Sequence, residues 1–317
     1  MTNEPKGVLC AGSVVYDILV RPVDDAPWGT TTYVESIDPH VGGNGANTSI
    51  ALARIGVPVR LIATVGNDDR GGLVRDALLR AGVDTAAVTV VAEATASTVV
   101  IVNSAGQRKF LHRLGASELA FQQPVEFTPE LVGGATHFHL ASFFILPGIR
   151  ANGAEMLRRA RSAGLTTSLD TTWDPLGRWS ADLTPCLPNV DFLFLNEDEA
   201  LRITGSSCPT EGARYALAHG ASTAVMKLGE RGCAIYTHER EIRCPAYEVD
   251  VKDTTGAGDC FAAGLLAAIQ RGASLEEAGR FANAVAAMSV REVGATAGVP
   301  SYSHVEDWIS TRVPKQS

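Results

Sequence analysis

A glycine-rich loop followed by an apolar run holds the residues of this chain best suited to chemistry. The run DTTGAGD, residues 253–259, leads into CFAAGLLAAIQRG, and Gly256 and Gly258 let the backbone turn tightly because they lack a Cβ. The apolar run predicts a helix that ends near Gly272. A loop that opens a helix directs free N–H groups and the positive end of the helix dipole towards one point. Such a point favours an anion, for example a phosphoryl group during its transfer.

Asp259 falls in the first turn of this predicted helix, beside the expected anion site. A carboxylate there is placed to accept a proton from an attacking hydroxyl while the backbone amides hold the phosphate. Phosphoryl transfer depends mainly on positioning and charge stabilisation, so this is nearly the minimum apparatus for it. The loop alone leaves a second interpretation open, because Asp, Gly and Thr are also common at the starts of helices.

A second glycine-rich run, VGGNGAN at residues 41–47, also leads into an amphipathic stretch, TSIALARIG. Its last residue, Asn47, carries an amide that both donates and accepts hydrogen bonds. A sugar hydroxyl does both as well, so the pattern suits a polyhydroxylated ligand. A structural role is equally open here, since a glycine-rich turn with Asn47 as a helix cap has the same sequence.

Three other nucleotide-binding signatures are absent from the sequence. The Walker loop needs G-x-x-x-x-G-K-[ST], which does not occur. The dinucleotide fingerprint needs G-x-G-x-x-G, but Thr48 and Phe261 stand where the third glycine would be. The protein-kinase set is missing as well, because His112-Arg113 precedes Leu114 and no D-F-G follows.

Apolar runs alternate with helical patterns along most of the chain, which predicts an α/β fold with a mainly parallel sheet covered on both faces. The predicted strands are Val8–Ala11, Val59–Val65, Ala135–Leu140, Thr166–Asp170, Phe192–Leu195 and Thr223–Leu228. The predicted helices are Ala46–Ile55, Leu73–Ala81, Gly153–Ala163, Glu197–Ile203 and Glu211–Ala218. Each helix is followed by a glycine suited to a left-handed cap, namely Gly56, Gly82, Gly164, Gly205 and Gly220.

Two stretches interrupt this alternation, at residues 14–40 and 97–113. The second reads STVVIVNSAGQRKFLHR, two strand-like runs around a turn at Ser104–Gln107. Both stretches are predicted to be additions to the main sheet. The sequence has no internal repeat, low-complexity tract or interdomain linker, so residues 1–317 are predicted to form one large α/β unit.

Composition excludes several classes of function. The chain has a net charge of -8 and a pI near 5.4, so nucleic acid and anionic membranes are not expected partners. No apolar run is long enough to span a bilayer. The start, MTNEPKGVLCAG, lacks a basic segment followed by an apolar one, so no secretory signal is predicted. Six cysteines without C-x-x-C spacing indicate a reducing, cytoplasmic setting.

The two glycine motifs resemble signatures of one family. VGGNGANTSIALARIG closely resembles the N-terminal signature of the ribokinase-like (PfkB) carbohydrate kinases, and DTTGAGDCFAAGL resembles their C-terminal signature. The N-x-x-E motif at 196–199, the G-x-x-G turn at 229–232 and the loop Gly12-Ser13 with Asp17 also match the family pattern. The resemblance covers essentially the whole chain. It implies a ribokinase-like three-layer sandwich, with a small β lid formed by residues 14–40 and 97–113, and an ATP-dependent phosphotransferase.

The resemblance also implies roles for individual residues. Asp259 is the expected catalytic base, and the expected anion hole consists of the amides of Gly256, Ala257 and Gly258. The substrate hydroxyls are expected to contact Asp17, Gly43 and Asn47. The residues expected along ATP are Asn196, Lys227, Gly229, Gly232 and Asn283, the last at the adenine end. Asn196 and Glu199 are expected to organise Mg²⁺ through water, because Mg²⁺ keeps much of its hydration. Closure of the lid would exclude water, which competes as phosphoryl acceptor.

Two further expectations come from the family. Its members often hold K⁺ beside the anion-hole loop, which implies activation by a monovalent cation. Asp253 and Thr255 match one side of such a site. The other side would be Ser289, Gly294 and Gly298, although Gly298 stands where some relatives carry a serine. A homodimer that forms through the lid is the second expectation.

Plain ribose is not expected to be the preferred substrate. Ribokinases proper carry an Asn where this chain has Val15 and a carboxylate at the position aligned with Ala141. Each missing hydrogen bond costs about 1–3 kcal/mol. Val15, Tyr16 and Ala141 instead offer apolar surface to a modified or larger sugar. The basic residues of the second stretch are expected to meet a negative or larger substituent; they are Arg108, Lys109, His112 and Arg113.

Two alternatives to a sugar kinase stay open at this stage. A nucleoside kinase would use the same fold for a ribose that carries a base. A non-catalytic sugar or nucleotide sensor would use the scaffold without the chemistry, but it would have little reason to keep all five residues Gly256, Gly258, Asp259, Asn196 and Glu199 intact. His137 and His139 resemble metal ligands on one strand, but no third ligand is evident, so they are predicted to be structural.

Overall fold

Thirteen strands form two sheets in the computed structural model, which describes residues 6–312 and 314. In chain order the strands are β1 (Gly7–Ala11), β2 (Val15–Arg21), β3 (Ser36–Gly42), β4 (Val59–Gly66), β5 (Val88–Val91), β6 (Ser97–Val102), β7 (Arg108–Arg113), β8 (Ala135–Leu140), β9 (Thr166–Asp170), β10 (Phe192–Asn196), β11 (Thr223–Lys227), β12 (Cys233–Thr237) and β13 (Glu241–Cys244). The large sheet has the order β13-β12-β11-β10-β9-β8-β1-β4-β5 and the small sheet β3-β2-β6-β7. The amino-terminal stretch MTNEPKGVLCAG, in which no secretory signal is predicted, lies partly outside the described residues.

Ten α-helices accompany the sheets. They are α1 (Asn44–Ile55), α2 (Asp69–Arg80), α3 (Pro129–Val132), α4 (Pro147–Ser162), α5 (Ser180–Leu183), α6 (Glu197–Thr204), α7 (Thr210–Ala218), α8 (Ala257–Gln270), α9 (Leu275–Ser289) and α10 (Tyr302–Ser310). The five glycines predicted to follow helices all have positive φ, between 68° and 107°, which confirms their role as helix ends. Within the described part of the chain, no helix has the length and apolarity needed to cross a membrane.

The large sheet is buried on both faces because its parallel strands are apolar on both faces. In β1, Val8 and Cys10 belong to one hydrophobic core, while Leu9 and Ala11 belong to a second core on the opposite face. Residues of α1, α2, α8, α9 and α10 contribute to the first core, and residues of α4, α6 and α7 to the second. The three-layer α/β architecture predicted from the alternating pattern is therefore confirmed.

All six predicted strands are present, with ends within one residue of the prediction. Two helices begin well before their predicted starts, α2 by four residues at Asp69 and α4 by six at Pro147, while α1 and α7 begin one or two residues earlier. Three strands of the large sheet are additional, namely β5, β12 and β13. They have four or five residues each. The apolar run is interrupted by exposed residues in β5 and β13, which lie at the two edges of the sheet, while β12 is a buried strand of five residues next to β13.

The small sheet arises from the two stretches that break the alternation, together with residues 41 and 42. Its register places Asp17 beside Thr98 and Thr98 beside His112, and places Val100 beside Phe110. These residues form the inner face of the small sheet. Alternate residues point to the outer face, where the register aligns Ile18 with Val99 and Val99 with Leu111.

Candidate active site

A cavity of about 320 Å³ lies between the inner face of the small sheet and the carboxyl ends of the parallel strands. Both glycine motifs contribute to its wall. The polar part of the wall consists of Ser13, Asp17, Gly43, Asn44, Asn47, Thr98, His112, Ser117, Thr255, Gly256 and Asp259. The apolar part consists of Val15, Val100, Phe110, Leu114, Ile145 and Leu146. Ligands of open α/β sheets bind at this end of the strands.

Asp259 is the third residue of α8 and is buried in the cavity wall, with 5% of its surface exposed. Its Oδ1 accepts a hydrogen bond from Asn44 Nδ2 at 2.9 Å, and its Oδ2 accepts one from Asn47 Nδ2 at 2.8 Å. Burial raises the pKa of Asp259 to about 6, while the hydrogen bond from Asn44 acts in the opposite direction. The carboxylate is therefore ionised at neutral pH and basic enough to accept a proton.

Asn44 is a contact that the sequence reasoning did not single out. Its Oδ1 accepts a hydrogen bond from Ser142 Oγ at 3.3 Å, and its backbone N–H donates to Ser13 Oγ at 3.1 Å. These contacts fix the direction of the amide, so that Nδ2 faces Asp259. The available signal was that the glycine-rich run contains a second asparagine besides Asn47. If both glycine motifs contribute to one site, either asparagine can contact Asp259.

Asn47 was expected to hold a substrate hydroxyl, and its amide nitrogen instead points to the carboxylate of Asp259. Its Oδ1 is buried and has no hydrogen-bond partner among the described residues. A buried acceptor without a partner is costly unless a ligand donates to it. One amide of Asn47 thus orients the base and presents an acceptor at the same time.

The start of α8 depends on glycine at position 256. Gly256 is the N-cap with φ 69°, and a Cβ there would lie 2.6 Å from the Cβ of Ala295. No side chain caps this helix end. Ala257 N–H makes a long hydrogen bond of 3.3 Å to Thr254 O, so this amide of the predicted anion hole is partly engaged. Gly258, the third predicted residue of the anion hole, lies beside Lys227.

Lys227 places a buried positive charge beside the loop. It ends β11, and its Nζ lies 2.8 and 3.0 Å from the two carboxylate oxygens of Asp170. A Cβ on Gly258 would lie 3.4 Å from the same Nζ. Burial lowers the pKa of Lys227, but attraction by Asp170 and Glu199 outweighs this effect and the net pKa is raised. Asp170, at the end of β9, was not predicted as a site residue, although an acidic residue that ends a buried strand was a usable signal.

Asn196 and Glu199 form a capping box at the start of α6. Asn196 Oδ1 accepts from Glu199 N at 2.8 Å, and Glu199 Oε2 accepts from Asn196 N at 2.9 Å and from Thr171 Oγ1 at 2.7 Å. Burial raises the pKa of Glu199, and the nearby charge of Lys227 opposes this effect only in part, so the net pKa is raised. The N-x-x-E motif therefore has a structural role that holds Glu199 near Lys227 and Asp170.

Asp17 and Gly43, which the sequence assigns to the substrate side, also line the cavity. Burial raises the pKa of Asp17 to about 6, against the effect of a hydrogen bond with Thr98. A Cβ at Gly42 would lie 1.9 Å from Asp17 Oδ2, so only glycine leaves room for this carboxylate. Gly43 has φ 92° and packs on the Ser13 carbonyl, where a Cβ would lie at 2.6 Å.

The remaining residues expected at the nucleotide side lie away from this cavity wall. Gly229 begins a 3₁₀ turn that ends before Gly232. The carbonyl of Gly232 accepts a 2.8 Å hydrogen bond from Leu228 N across this turn. Asn283 is buried in α9, and its Nδ2 donates to the carbonyls of Cys244 and Pro245 at 2.8 and 3.2 Å. Its amide nitrogen thus ties α9 to the segment that follows β13.

Asp253, from the expected potassium site, already has a cationic partner. Arg108 Nη2 lies 2.6 Å from Asp253 Oδ1, and Gly294 N donates to Oδ2 at 2.9 Å. Burial raises the pKa of Asp253, but the hydrogen bonds from Gly294 and Thr255 and the charge of Arg108 outweigh it, so the pKa is lowered. On the other side of the expected site, Ser289 Oγ donates to Ala286 O at 2.8 Å.

Several residues assigned to the substrate by sequence do not lie in the cavity wall. Ala141 is fully buried, and its Cβ would lie 3.0 Å from a Cβ on Gly12. Tyr16 points to the other side of β2, where Arg70 stacks on its ring. Of the four basic residues on β7, only His112 lines the cavity. Lys109 and Arg113 lie on the opposite face because side chains alternate along a strand, whereas Arg108 is on the same face as His112 but reaches past the cavity to Asp253. Arg113 pairs with Glu93 at 2.5 Å, Arg108 pairs with Asp253, and Lys109 is exposed.

The two strand histidines are structural, as predicted. His137 makes 2.7 Å hydrogen bonds to Thr166 Oγ1 and Ser168 Oγ, and His139 Nδ1 shares Ser168 Oγ at 2.7 Å. Burial lowers the pKa of both rings to about 3, so both are neutral. The described residues contain no cluster of three or more His, Cys, Asp or Glu side chains arranged to hold a metal ion.

A buried carboxylate at the N-terminus of a helix, beside a lysine and below a small sheet, fits the phosphoryl-transfer chemistry that the sequence predicts. The family model for pfkB family carbohydrate kinases matches residues 6–301. The chain therefore belongs to the PfkB family, and it is a sugar or nucleoside kinase. The family implies ATP as the nucleotide.

Known relatives span almost the whole chain. The ATP-dependent ribose-1-phosphate kinase of Halopiger xanaduensis is 32% identical, over 96% of this chain and 98% of the relative. The nucleoside kinase of Methanothermobacter thermautotrophicus is 28% identical, over 94% of each chain. The structure of Arabidopsis thaliana ribokinase complexed with ribose and ATP aligns with a TM-score of 0.85 and 26% identity, and it covers 97% of this chain and 100% of that one. These matches confirm the ribokinase-like fold.

Proposed function

We propose that the protein transfers the γ-phosphoryl group of ATP to a hydroxyl of a sugar derivative, with Asp259 as the general base. The observation that carries the proposal is the pair of amides, Asn44 and Asn47, which present the Asp259 carboxylate to the cavity. An attacking hydroxyl in this cavity gives its proton to Asp259 as it bonds to phosphorus. The amides at the start of α8, from Gly256 to Gly258, then face the phosphoryl group and stabilise its charge.

Lys227 is the proposed contact for the phosphates of ATP, because its ammonium lies beside Gly258 and is held by Asp170. Magnesium would supply charge neutralisation on the phosphates. Glu199 and Asn196 are the proposed residues that organise it, and Asp170 adds a second buried carboxylate. Carboxylate and amide oxygens fit Mg²⁺, and the few protein ligands fit an ion bound mostly through water. Gly229, Gly232 and Asn283 are proposed to flank the ribose and adenine.

The small sheet is proposed to act as a lid of a single catalytic unit. Its inner face supplies Asp17, Thr98 and Phe110 to the cavity, so closure buries the substrate against Asp259. Its outer face supports the expected homodimer, because Ile37 and Leu111 are 64% and 57% exposed there. A cytoplasmic location belongs to the same proposal, supported by six free cysteines and by the need for ATP.

The preferred substrate is proposed to be larger or more apolar than plain ribose. Val15 and Phe110 give the cavity apolar walls at the substrate side. The named activities of two relatives, a ribose-1-phosphate kinase and a nucleoside kinase, support a substituted ribose. A nucleoside is the second candidate, because the aromatic ring of Phe110 and the apolar part of the wall suit a base. Expected potassium activation has less support, since Asp253 already pairs with Arg108.

A coupled ADP-release screen tests this function. Ribose, other pentoses and hexoses, keto-acid sugars, ribose-1-phosphate and nucleosides are offered with ATP and Mg²⁺, and the Asp259→Asn variant is run beside the wild type. We expect at least one substituted sugar or nucleoside to give a kcat/KM above that of ribose. With one hydroxyl left unpaired at Val15, the deficit of ribose is about 5- to 150-fold. Ribose at the top of the ranking contradicts the substrate proposal, and equal activity of Asp259→Asn contradicts the proposed base.

A further inference from the structure

Arg108 leaves the small sheet to contact the loop before α8. Its Nη2 lies 2.6 Å from Asp253 Oδ1, and its Nη1 lies 3.4 Å from Thr254 Oγ1. The two charged side chains are largely shielded from water, with 19% of Arg108 and 8% of Asp253 exposed. An ion pair that is this shielded and hydrogen-bonded is stronger than the exposed pairs elsewhere on β7.

The partner of Arg108 connects two segments of the site. Asp253 Oδ1 also accepts from Thr255 N at 2.8 Å, and Oδ2 accepts from Gly294 N at 2.9 Å. The same carboxylate therefore connects the DTTGAGD loop to the segment that follows α9. Gly256, the N-cap of α8, lies only three residues after Asp253, so the direction of the α8 amides depends on how Asp253 is oriented.

Arg108 also shares a strand face with the cavity wall. Phe110 and His112, two and four residues later on β7, line the cavity. When the small sheet covers the cavity, the same strand brings a guanidinium to Asp253. When β7 lies over the cavity, it therefore both covers the substrate and fixes the DTTGAGD loop.

We propose that Arg108 is a positioning residue that supplies the positive charge at Asp253, in place of a monovalent cation, when the small sheet closes. The inference rests on the proposed kinase function. Its consequence is that the α8 amides reach their working geometry only with β7 over the cavity, so that ATP is not turned over with the site open. Activity is then independent of potassium.

The surroundings of Asp253 do not fit a bound potassium ion. The guanidinium already lies against Oδ1, and a second cation at the same carboxylate would be repelled by it. A serine oxygen cannot be supplied from position 298, because a Cβ there would lie 2.4 Å from Met288 O. Arg108 provides the missing charge from the protein itself.

The test compares wild type with Arg108→Gln in potassium, sodium and tetramethylammonium chloride at matched ionic strength. Arg113→Gln is the matched control, because Arg113 lies on the same strand but pairs with Glu93 on the surface. We expect wild type and Arg113→Gln to have equal kcat in the three salts. Arg108→Gln should lose up to about 100-fold in kcat in tetramethylammonium, with little change in substrate KM, and should recover part of the loss in potassium.

Melting temperature provides a readout that does not need activity. Potassium should raise the melting temperature of Arg108→Gln above its value in tetramethylammonium, because an ion can then bind the freed Asp253, and it should leave wild type unchanged. Potassium activation or potassium-specific stabilisation of the wild type would overturn the proposal, as would full kcat of Arg108→Gln in tetramethylammonium. Failure of every substrate in the screen would instead contradict the kinase function, while the melting comparison would still stand.

Discussion

Asp259 draws its orientation from the other glycine motif, since both hydrogen bonds to its carboxylate come from the run at residues 41–47. The two motifs are more than 200 residues apart, and each alone has an ordinary explanation as a helix start. Their contact favours a role for Asp259 beyond capping. A cap needs no partner from another helix, whereas a base in a cavity needs groups that fix the direction of its lone pairs.

Replacement of Asp259 by Asn separates the base from the fold. The amide keeps the size of the side chain but cannot accept a proton at neutral pH, so kcat should fall by about 10²- to 10⁴-fold. ATP affinity should change little, because the carboxylate faces the substrate side of the cavity. Stopped-flow or steady-state kinetics gives kcat, and calorimetry gives the ATP Kd. A variant that turns over at the wild-type rate would remove Asp259 from this role.

The pH profile of kcat/KM tests the two raised pKa values. Burial raises the pKa of both Asp259 and Asp17 to about 6. Both groups act in the ionised form, one as proton acceptor and one as hydrogen-bond acceptor, so activity is present above pH 6 and lost as the pH falls through that value. Two ionisations predict an acid limb steeper than about tenfold per pH unit.

Asp17→Asn is the control for that profile. It removes one of the two ionisations, so the acid limb should return to about tenfold per pH unit with its midpoint still near pH 6. A wild-type midpoint near the ordinary pKa of an aspartate, at about 4, would show that neither carboxyl is perturbed in solution. An unchanged steep limb in Asp17→Asn would assign the second ionisation to another group.

For individual residues, the sequence predicted which residues lie at the site better than it predicted where their side chains point. Asp259, Asp17 and Asn47 lie in the cavity wall, because motif and register both constrain them. Ala141 and Tyr16 do not, since a one-residue alignment shift or the alternation of a strand moves a side chain to the other face. Asp170 and Arg108 matter only through partners 57 and 145 residues away, and no local pattern contains such a distance.

At the scale of elements, one motif does two tasks. Asn196 and Glu199 cap α6, and the same capping box holds a carboxylate beside Lys227. A second capping box, Ser274 with Glu277 at the start of α9, has the same reciprocal hydrogen bonds far from the cavity. The chain therefore contains its own control for separating a helix cap from a metal site.

Glu199→Gln should raise the Mg²⁺ concentration needed for half-maximal rate. The amide still accepts the capping hydrogen bond from Asn196 N but no longer carries the negative charge that attracts the hydrated ion. Glu277→Gln makes the same change at the other box and should leave the Mg²⁺ requirement unaltered. Steady-state rates across a Mg²⁺ titration give both values. Identical curves for Glu199→Gln and wild type would limit Glu199 to capping.

Elements in the middle of the large sheet were predictable because burial on both faces forces a continuous apolar sequence. The antiparallel strands β12 and β13 were not, since both are short and the edge strand β13 alternates buried positions with exposed residues, Glu241 and Arg243. The turn between β11 and β12 nevertheless carries Gly229 and Gly232, which match the family pattern. The resemblance thus located this turn although the strand that follows it, β12, was not predicted.

For the whole molecule, the site depends on two sheets that share no strand. The large sheet supplies Lys227 and packs against α8, which carries Asp259, and the small sheet supplies Asp17 and part of the apolar wall. A small sheet of four strands with one face over a cavity and the other in water has little core of its own. Its outer face carries Ile18, Val99 and Leu111 side by side, which is the pattern of a sheet with a partner on that side.

Dimerisation through this outer face is the last prediction. We expect the wild type to have twice its monomer mass of 33.4 kDa in analytical ultracentrifugation, because covering Ile37 and Leu111 removes their apolar surface from water. Leu111→Glu places a charge in that contact and should yield monomers. Leu79→Glu is the control, since Leu79 is 53% exposed on α2 and is not a residue of the small sheet. A monomeric wild type, or a Leu111→Glu dimer as tight as wild type, would exclude this face as the interface. Loss of the dimer should also raise substrate KM, because the small sheet is then held only by its contacts across the cavity.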